Sequence, residues 1–198
     1  KIVELTDGQT VETHRNASQI LFSNDSLFDY KSVNPNRIDQ QYLDDCQMVI
    51  VNDKSSLNET LWQSILDFAR DGGSVVVFPS ENDITNDDTL SVSLLAEQHP
   101  FFDEVFVKIP DNADFPKVFK HNPDRNVSGN SLMLIGLQNG DPSLTMTKTG
   151  NGNVFSFSTR LDNQWTDFAD NSLFVPIMMK MAMLGLGVER LSYTIGED

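Results

Sequence analysis

Between Gln47 and Asn82 the apolar positions change their period twice. Met48-Val49-Ile50-Val51 is continuously apolar and ends in Asn52-Asp53. Leu61, Trp62, Ile65, Leu66, Phe68 and Ala69 then recur at helical spacing, and Val75-Val76-Val77-Phe78 forms a second continuous run closed by Pro79. Short apolar runs predict strands covered on both faces, and the stripe between them predicts an amphipathic helix from Leu57 to Arg70. Strand, helix and strand together predict a βαβ unit with parallel strands and a right-handed crossover. Ser56-Leu57-Asn58-Glu59 has the form of a capping box, in which the Ser56 hydroxyl accepts the N–H of residue 59 and Glu59 reaches back. Gly72, in Asp71-Gly72-Gly73, is placed to end the helix in a left-handed conformation.

The flanking segments read as further strands and helices. Residues 1–15 suggest an edge strand or linker, with a short helix from Asn16 or Ser18 to Ser23, a strand from Leu27 to Val33, and a helical turn over Asp39–Leu43. Leu90 to Ala96 reads as a helix. The texture then changes to short strands at Glu104–Ile109, Phe115–Phe119, Leu132–Leu137, Leu144–Thr149 and Val154–Ser158. Gly150-Asn151-Gly152-Asn153 between the last two is a hairpin signal. These strands predict an antiparallel extension of the sheet, with the last strand returning to its centre. Trp165–Asn171 reads as a turn, and Val175–Gly187 as a final helix with Pro176 in its first turn.

Composition narrows the class. With 198 residues, 39% hydrophobic content and 13 Phe, the chain can bury a sizeable core. Lys and Arg total 14 against 29 Asp and Glu, a formal net charge of -15. That field repels phosphate backbones and anionic lipid, so nucleic acid is not an expected partner. One cysteine, Cys46, excludes an intrachain disulfide framework. Phe174–Leu186 is the most apolar segment, but it is too short to span a bilayer and Lys180 interrupts it. The start at Lys1 in an apolar run, and the strand-like Leu191–Ile195 near the other end, lead us to expect a piece of a longer protein, with a domain over 16–190 and the start of a following region at 191–198.

In an open α/β sheet the ligand crevice lies beyond the carboxyl ends of the strands. That rule selects a rim of Asn52, Asp53, Ser80, Glu81, Asn82, Arg160, Asp162 and Trp165. No glycine-rich loop follows a parallel strand and opens a helix, so no phosphate cradle is expected. His14, His99 and His121 are scattered, without Cys or Glu at zinc-ligand spacing. Asp162, Asp167 and Asp170 around Trp165 are dense enough for a loose cation site, but no specific metal or cofactor is expected. Cys46 precedes a strand, at the wrong end for a nucleophile. Ser80 follows one, in Phe78-Pro79-Ser80-Glu81-Asn82, but lacks flanking glycines.

Met48-Val49-Ile50-Val51-Asn52, the helix end Phe68-Ala69-Arg70-Asp71-Gly72-Gly73-Ser74, and the run Val75–Ser80 resemble the class I glutamine amidotransferase-like fold in its non-catalytic branch. Catalytic members carry a Gly-x-Cys-x-Gly elbow at the place that Ser80 takes here, and a downstream His-x-Glu pair that this chain lacks. Asp162-Asn163-Gln164-Trp165-Thr166-Asp167-Phe168, followed by Leu173-Phe174-Val175-Pro176, is similar to a late motif of the extracytoplasmic region of bacterial aerotolerance (Bat-type) related membrane proteins. The resemblance spans about residues 20 to 187. It implies a three-layer, flavodoxin-like or amidotransferase-like α/β sandwich whose central sheet is mostly parallel with an antiparallel extension. It also implies a periplasmic domain of an inner-membrane protein, with a protein partner in the cell envelope.

The expectation is therefore a non-catalytic interaction or scaffolding domain. Two alternatives stay open. One is a hydrolase using Ser80 with Glu81 or Asp53 as acid–base partner. The other is a small-molecule or cation sensor using Asp53, Arg160 and Asp162.

Overall fold

Nine strands form one sheet in a computed structural model that describes residues 1–6, 12–83, 85–96, 99–103, 114–123 and 130–186. They are β1 (Ile2–Leu5), β2 (Tyr30–Val33), β3 (Met48–Val51), β4 (Ser74–Val77), β5 (Leu90–Leu95), β6 (Lys117–Val118), β7 (Ser131–Leu137), β8 (Pro142–Thr149) and β9 (Gly152–Phe157). The spatial order is β2-β1-β3-β4-β9-β8-β7-β5-β6. From β2 to β9 all neighbours pair in parallel, and from β9 to β6 all pair antiparallel. The last strand does return to the centre, between β4 and β8.

Alternate residues of the same strands feed two different cores. Ile2, Met48, Ile50, Val76 and Phe155 pack with Phe22 of helix α1 (Glu12–Ser23) and with Ile177, Met178 and Met181 of α4 (Phe174–Leu184). Val3, Leu5, Val49, Val51, Val75 and Val154 face Leu43 of α2 (Gln40–Asp44) and Leu61, Ile65, Phe68 and Ala69 of α3 (Glu59–Arg70). Burial on both faces is why β3 and β4 are nearly continuous apolar runs rather than alternating ones, whereas β2, at the sheet edge, is half-buried and polar at Lys31 and Ser32. The result is an α/β sandwich: a large sheet with helices on each side. Among the described residues, no helix is long and apolar enough to cross a membrane.

Three local expectations are corrected. The segment expected at an edge, β1, lies inside the sheet between β2 and β3, because Ile2–Leu5 are all buried and both flanking ladders are formed. Leu90–Leu95 is a strand, not a helix. Leu-Ser-Val-Ser-Leu alternates with period two, and pairing with β7 and β6 decides between the periods a run this short allows. Helix α3 is capped by Asn58, whose side chain accepts the N–H of Leu61 at 2.8 Å. Ser56 instead sits in a 3-10 turn over Lys54–Ser56 and donates its hydroxyl to the Asp53 carbonyl at 2.7 Å. The strand expected at Glu104–Ile109 and the one at Leu191–Ile195 lie outside the described residues.

The glycine pairs have a packing explanation. Gly72 adopts φ +117°, and the N–H of Gly73 returns to the Phe68 carbonyl at 3.0 Å, closing α3. The β8–β9 turn, with Gly150 at φ +58°, lies against that helix end: Asn151 N–H donates to the Arg70 carbonyl at 2.9 Å and Asn153 N–H to the Gly73 carbonyl at 3.2 Å. A Cβ on Gly152 would run into the backbone of Gly73 and Ala69. This contact lies at the amino-terminal ends of β4 and β9, opposite the expected ligand crevice.

Candidate functional site

Beyond the carboxyl ends of the parallel strands the rim residues divide into three groups. Asn52 follows β3 and is 1% exposed; its backbone N–H continues the ladder to Leu5 at 3.4 Å. Its side-chain amide donates to the Glu4 carboxyl group, which also accepts the Tyr30 hydroxyl. Glu4 is fully buried on β1, one strand in from the β2 edge. Asn52 is therefore part of a buried polar node that ties β1, β2 and the β3 exit together.

A second group follows β9. Arg160 and Asp162, both buried, pair through Nε and Oδ2 at 3.3 Å. Asp162 also accepts the N–H of Gln164 at 3.1 Å, and its carbonyl accepts those of Trp165 and Thr166 at 2.9 and 3.0 Å. Trp165 is buried, and its carbonyl holds the N–H groups of Phe119 and Lys120 at 2.7 and 3.2 Å. These contacts shape the loop that leads to α4 and carries Phe168 and Phe174 into the core. Asp167, expected beside Trp165, accepts the N–H of Lys117 at 2.7 Å. Among the described residues no group of three acidic, His or Cys side chains is gathered to hold a metal ion.

The third group forms a recess. Asp53 Oδ1 accepts both the N–H and the hydroxyl of Ser55, at 2.8 and 2.6 Å, because Asp53 caps the 3-10 turn. Ser55 Oγ lies 3.2 Å from Ser80 Oγ, and the Ser80 N–H donates to Asp83 Oδ2 at 2.9 Å. From Ser55 and Ser80 a cavity of about 610 Å³ extends over β9, β8 and β7, on the face that α3 covers further along. Among the described residues, nearly half of those lining it carry hydroxyls, and its charged side chains are Lys54 and Asp83. Ser131 Oγ and Thr147 Oγ1 meet there at 2.6 Å. Among the described residues, Ser80 is the rim position that lines this recess; Glu81 and Asn82, on the same turn, are exposed.

One pairing has no counterpart in the sequence reading. His121 Nε2 lies 2.9 Å from Asp141 Oδ2, with both side chains buried. Asp141 also accepts the Asn139 amide at 2.6 Å, and His121 exchanges backbone hydrogen bonds with Asn86 at 2.9 and 3.2 Å. Nδ1 of His121 is buried without a hydrogen-bond partner. The neighbouring Asn122 reaches the recess, but His121 itself is closed off from it. No spacing announces this pair, since it is set by where the β7–β8 turn meets the segment after β6. The other histidine described with its side chain, His99, accepts the N–H of Phe101 at Nδ1 (3.1 Å) and is structural. The side chain of His14 lies outside the described residues. Cys46 is buried at the entry to β3 and donates Sγ–H to the Tyr42 carbonyl at 3.3 Å; burial pushes its thiol pKa up.

No protein-family model matches the chain, and no curated protein matches it. Solved structures do. A cytoplasmic protein from Salmonella typhimurium LT2 superposes with a TM-score of 0.67 at 12% identity, over 92% of this chain and 98% of that one. A ThuA-like protein from Bacteroides uniformis gives 0.66 at 11% identity, over 93% and 90% of the two chains. A GMP synthase subunit from Thermoplasma acidophilum gives 0.58 at 12% identity, over 93% of both. At such identities the likeness is one of fold: this is an α/β protein of the amidotransferase-like architecture.

Proposed function

We propose that this is a non-catalytic interaction domain, carried by a larger membrane-anchored bacterial protein and working on the extracytoplasmic side. The observation that carries the reading is the setting of Ser80. At the place where catalytic members of this architecture keep a nucleophile, Ser80 Oγ faces another serine hydroxyl, and its N–H is already bonded to the Asp83 carboxylate. An anion developing there would meet a negative group instead of open donors, the reverse of what acyl-transfer chemistry needs. Pro79 supplies no N–H. The family context comes from the late motif Asp162–Phe168. Fractionating the source cells tests it: a band much larger than 22.2 kDa, retained in membranes after a carbonate wash, is expected. A soluble band near that mass would overturn the anchored-scaffold reading.

A second reading has one observation in its favour. Asp53, Ser55 and Ser80 form a hydroxyl relay ending on a carboxylate. A relay of that kind could draw the proton from Ser80 in a hydrolase, although a carboxylate is a far weaker base than the imidazole of a triad. That reading expects a serine-directed fluorophosphonate to label Ser80, with labelling lost in Ser80→Ala. Unlabelled protein at high probe excess ends it.

A further inference from the structure

We propose that the recess beside Ser55 and Ser80 is a binding site for a small, neutral, polyhydroxylated ligand such as a short saccharide. The proposal shares with the interaction reading only the premise that Ser80 binds rather than cleaves.

The direction of the hydrogen bonds carries the argument. Asp53 is acceptor-only, so Ser55 must donate its hydroxyl proton to it across their 2.6 Å contact. Ser55 Oγ is then left to accept, and Ser80 must donate across the 3.2 Å contact. With its own proton directed at Ser55, Ser80 presents lone pairs to the recess. The next partner it can take is a ligand O–H or N–H.

The rest of the wall continues the same chemistry. Ser131 and Thr147 meet at 2.6 Å, so one hydroxyl donates to the other, and in either direction Thr147 Oγ1 keeps a lone pair that can accept. Thr145 donates only a long bond, 3.4 Å, to the Ser156 carbonyl. Groups of this kind pair best with a molecule that offers donors and acceptors in alternation, as vicinal hydroxyls do.

Among the described residues, charge favours a neutral ligand over the other polar classes. Both charged groups described at the recess already have partners. The Lys54 ammonium is held 4.5 Å from the centre of the Trp62 ring, and Asp83 accepts from Ser80 N–H and, at 3.4 Å, from the Asn122 amide. Among the described residues the wall offers no cationic fork for a phosphate or carboxylate, and the chain's net charge of -15 repels anions at long range. The volume, about 610 Å³, falls in the range of small-molecule clefts, about 300–1,000 Å³. Pro79, Pro142 and Val77 add apolar surface on which the C–H face of a sugar ring can lie.

The test is a titration followed by two-dimensional amide spectra of the isotope-labelled chain. The probes are glucose, galactose, maltose and cellobiose, with glucuronate and glucosamine as charged counterparts. The expected result is saturable shifts at Ser55, Ser80, Thr145 and Thr147 with at least one neutral sugar. Ser80→Ala and Thr147→Val, each with an otherwise unchanged spectrum, should weaken binding up to about tenfold, as loss of one hydrogen bond implies. No shift with any of the four neutral sugars overturns the proposal. So does glucuronate or glucosamine binding more tightly than every neutral sugar, or shifts that survive both substitutions unchanged. Membrane fractionation is unaffected by any of these outcomes, so failure here is distinguishable from failure of the scaffold reading.

Discussion

His121 and Asp141 meet at 2.9 Å with 0% and 2% of their side chains exposed, joining the segment after β6 to the turn between β7 and β8. The pair is a polar clamp between these two segments of the antiparallel half. Asp141→Ala would strand the His121 Nε2–H and remove the acceptor of the Asn139 amide. A loss of about 3 kcal/mol is expected in urea unfolding. A loss below about 0.5 kcal/mol, the range of a neutral surface change, would remove the clamp from the account.

The buried node of Glu4, Asn52 and Tyr30 sets up a coupled pair. Tyr30→Phe and Asn52→Ala each remove one donor from the Glu4 carboxyl group and should each cost about 1.5–3 kcal/mol. Because both act on one acceptor, the double variant should depart from additivity by more than about 0.5 kcal/mol. Simple additivity in a double-mutant cycle would mean that the two contacts are independent.

Gly152 is where the β8–β9 turn passes over the end of α3. Gly152→Ala would push a methyl into the backbone of Gly73 and Ala69, neither of which is the flexible end of a side chain. Destabilisation of about 1–3 kcal/mol, the cost of overpacking, is expected in thermal melts. An alanine variant as stable as the parent would show that the turn can lift away freely.

Cys46 should be inert in the folded protein. Burial raises its pKa, so the reactive thiolate is disfavoured. Labelling by a disulfide-exchange reagent at neutral pH should be slow in buffer and fast in denaturant. The pH effect follows in sign: the unfolded thiol ionises near about pH 8.5 while the folded one still holds its proton. The stability this group contributes is therefore complete below that pH and is lost as pH rises through the higher folded value. Between about pH 8 and 10 the parent should lose more stability than Cys46→Ala; equal loss would contradict the shift.

The βαβ unit is legible because its signals are local. Continuous apolar runs, a helical stripe and Gly72 each work within a few residues, and strands β3 and β4 and helix α3 lie where those signals put them. The hairpin at Gly150–Asn151 and the return of β9 to the sheet centre are legible for the same reason. Leu90–Leu95 reads as a helix and folds as a strand because so short a run holds too little of either period for the chain alone to choose, and pairing with β7 chooses. The cap of α3 falls to Asn58 because Asp53, Ser55 and Ser56 are drawn into a turn of their own.

What the amino-acid order determined by itself was the class of fold, since burial on two faces leaves its mark in the apolar runs of β3 and β4. Tertiary structure alone decided the site. Ser80 belongs to the rim by its place after a strand, but its partner Ser55 lies 25 residues away, and Arg160 and Asp162, expected at the same rim, are buried against each other. Glu4 and Asn52, and His121 and Asp141, are likewise joined across the sequence by strand register and the path of a turn. Hydrogen bonds of that reach depend on where whole elements come to rest, and no short stretch of chain contains that information.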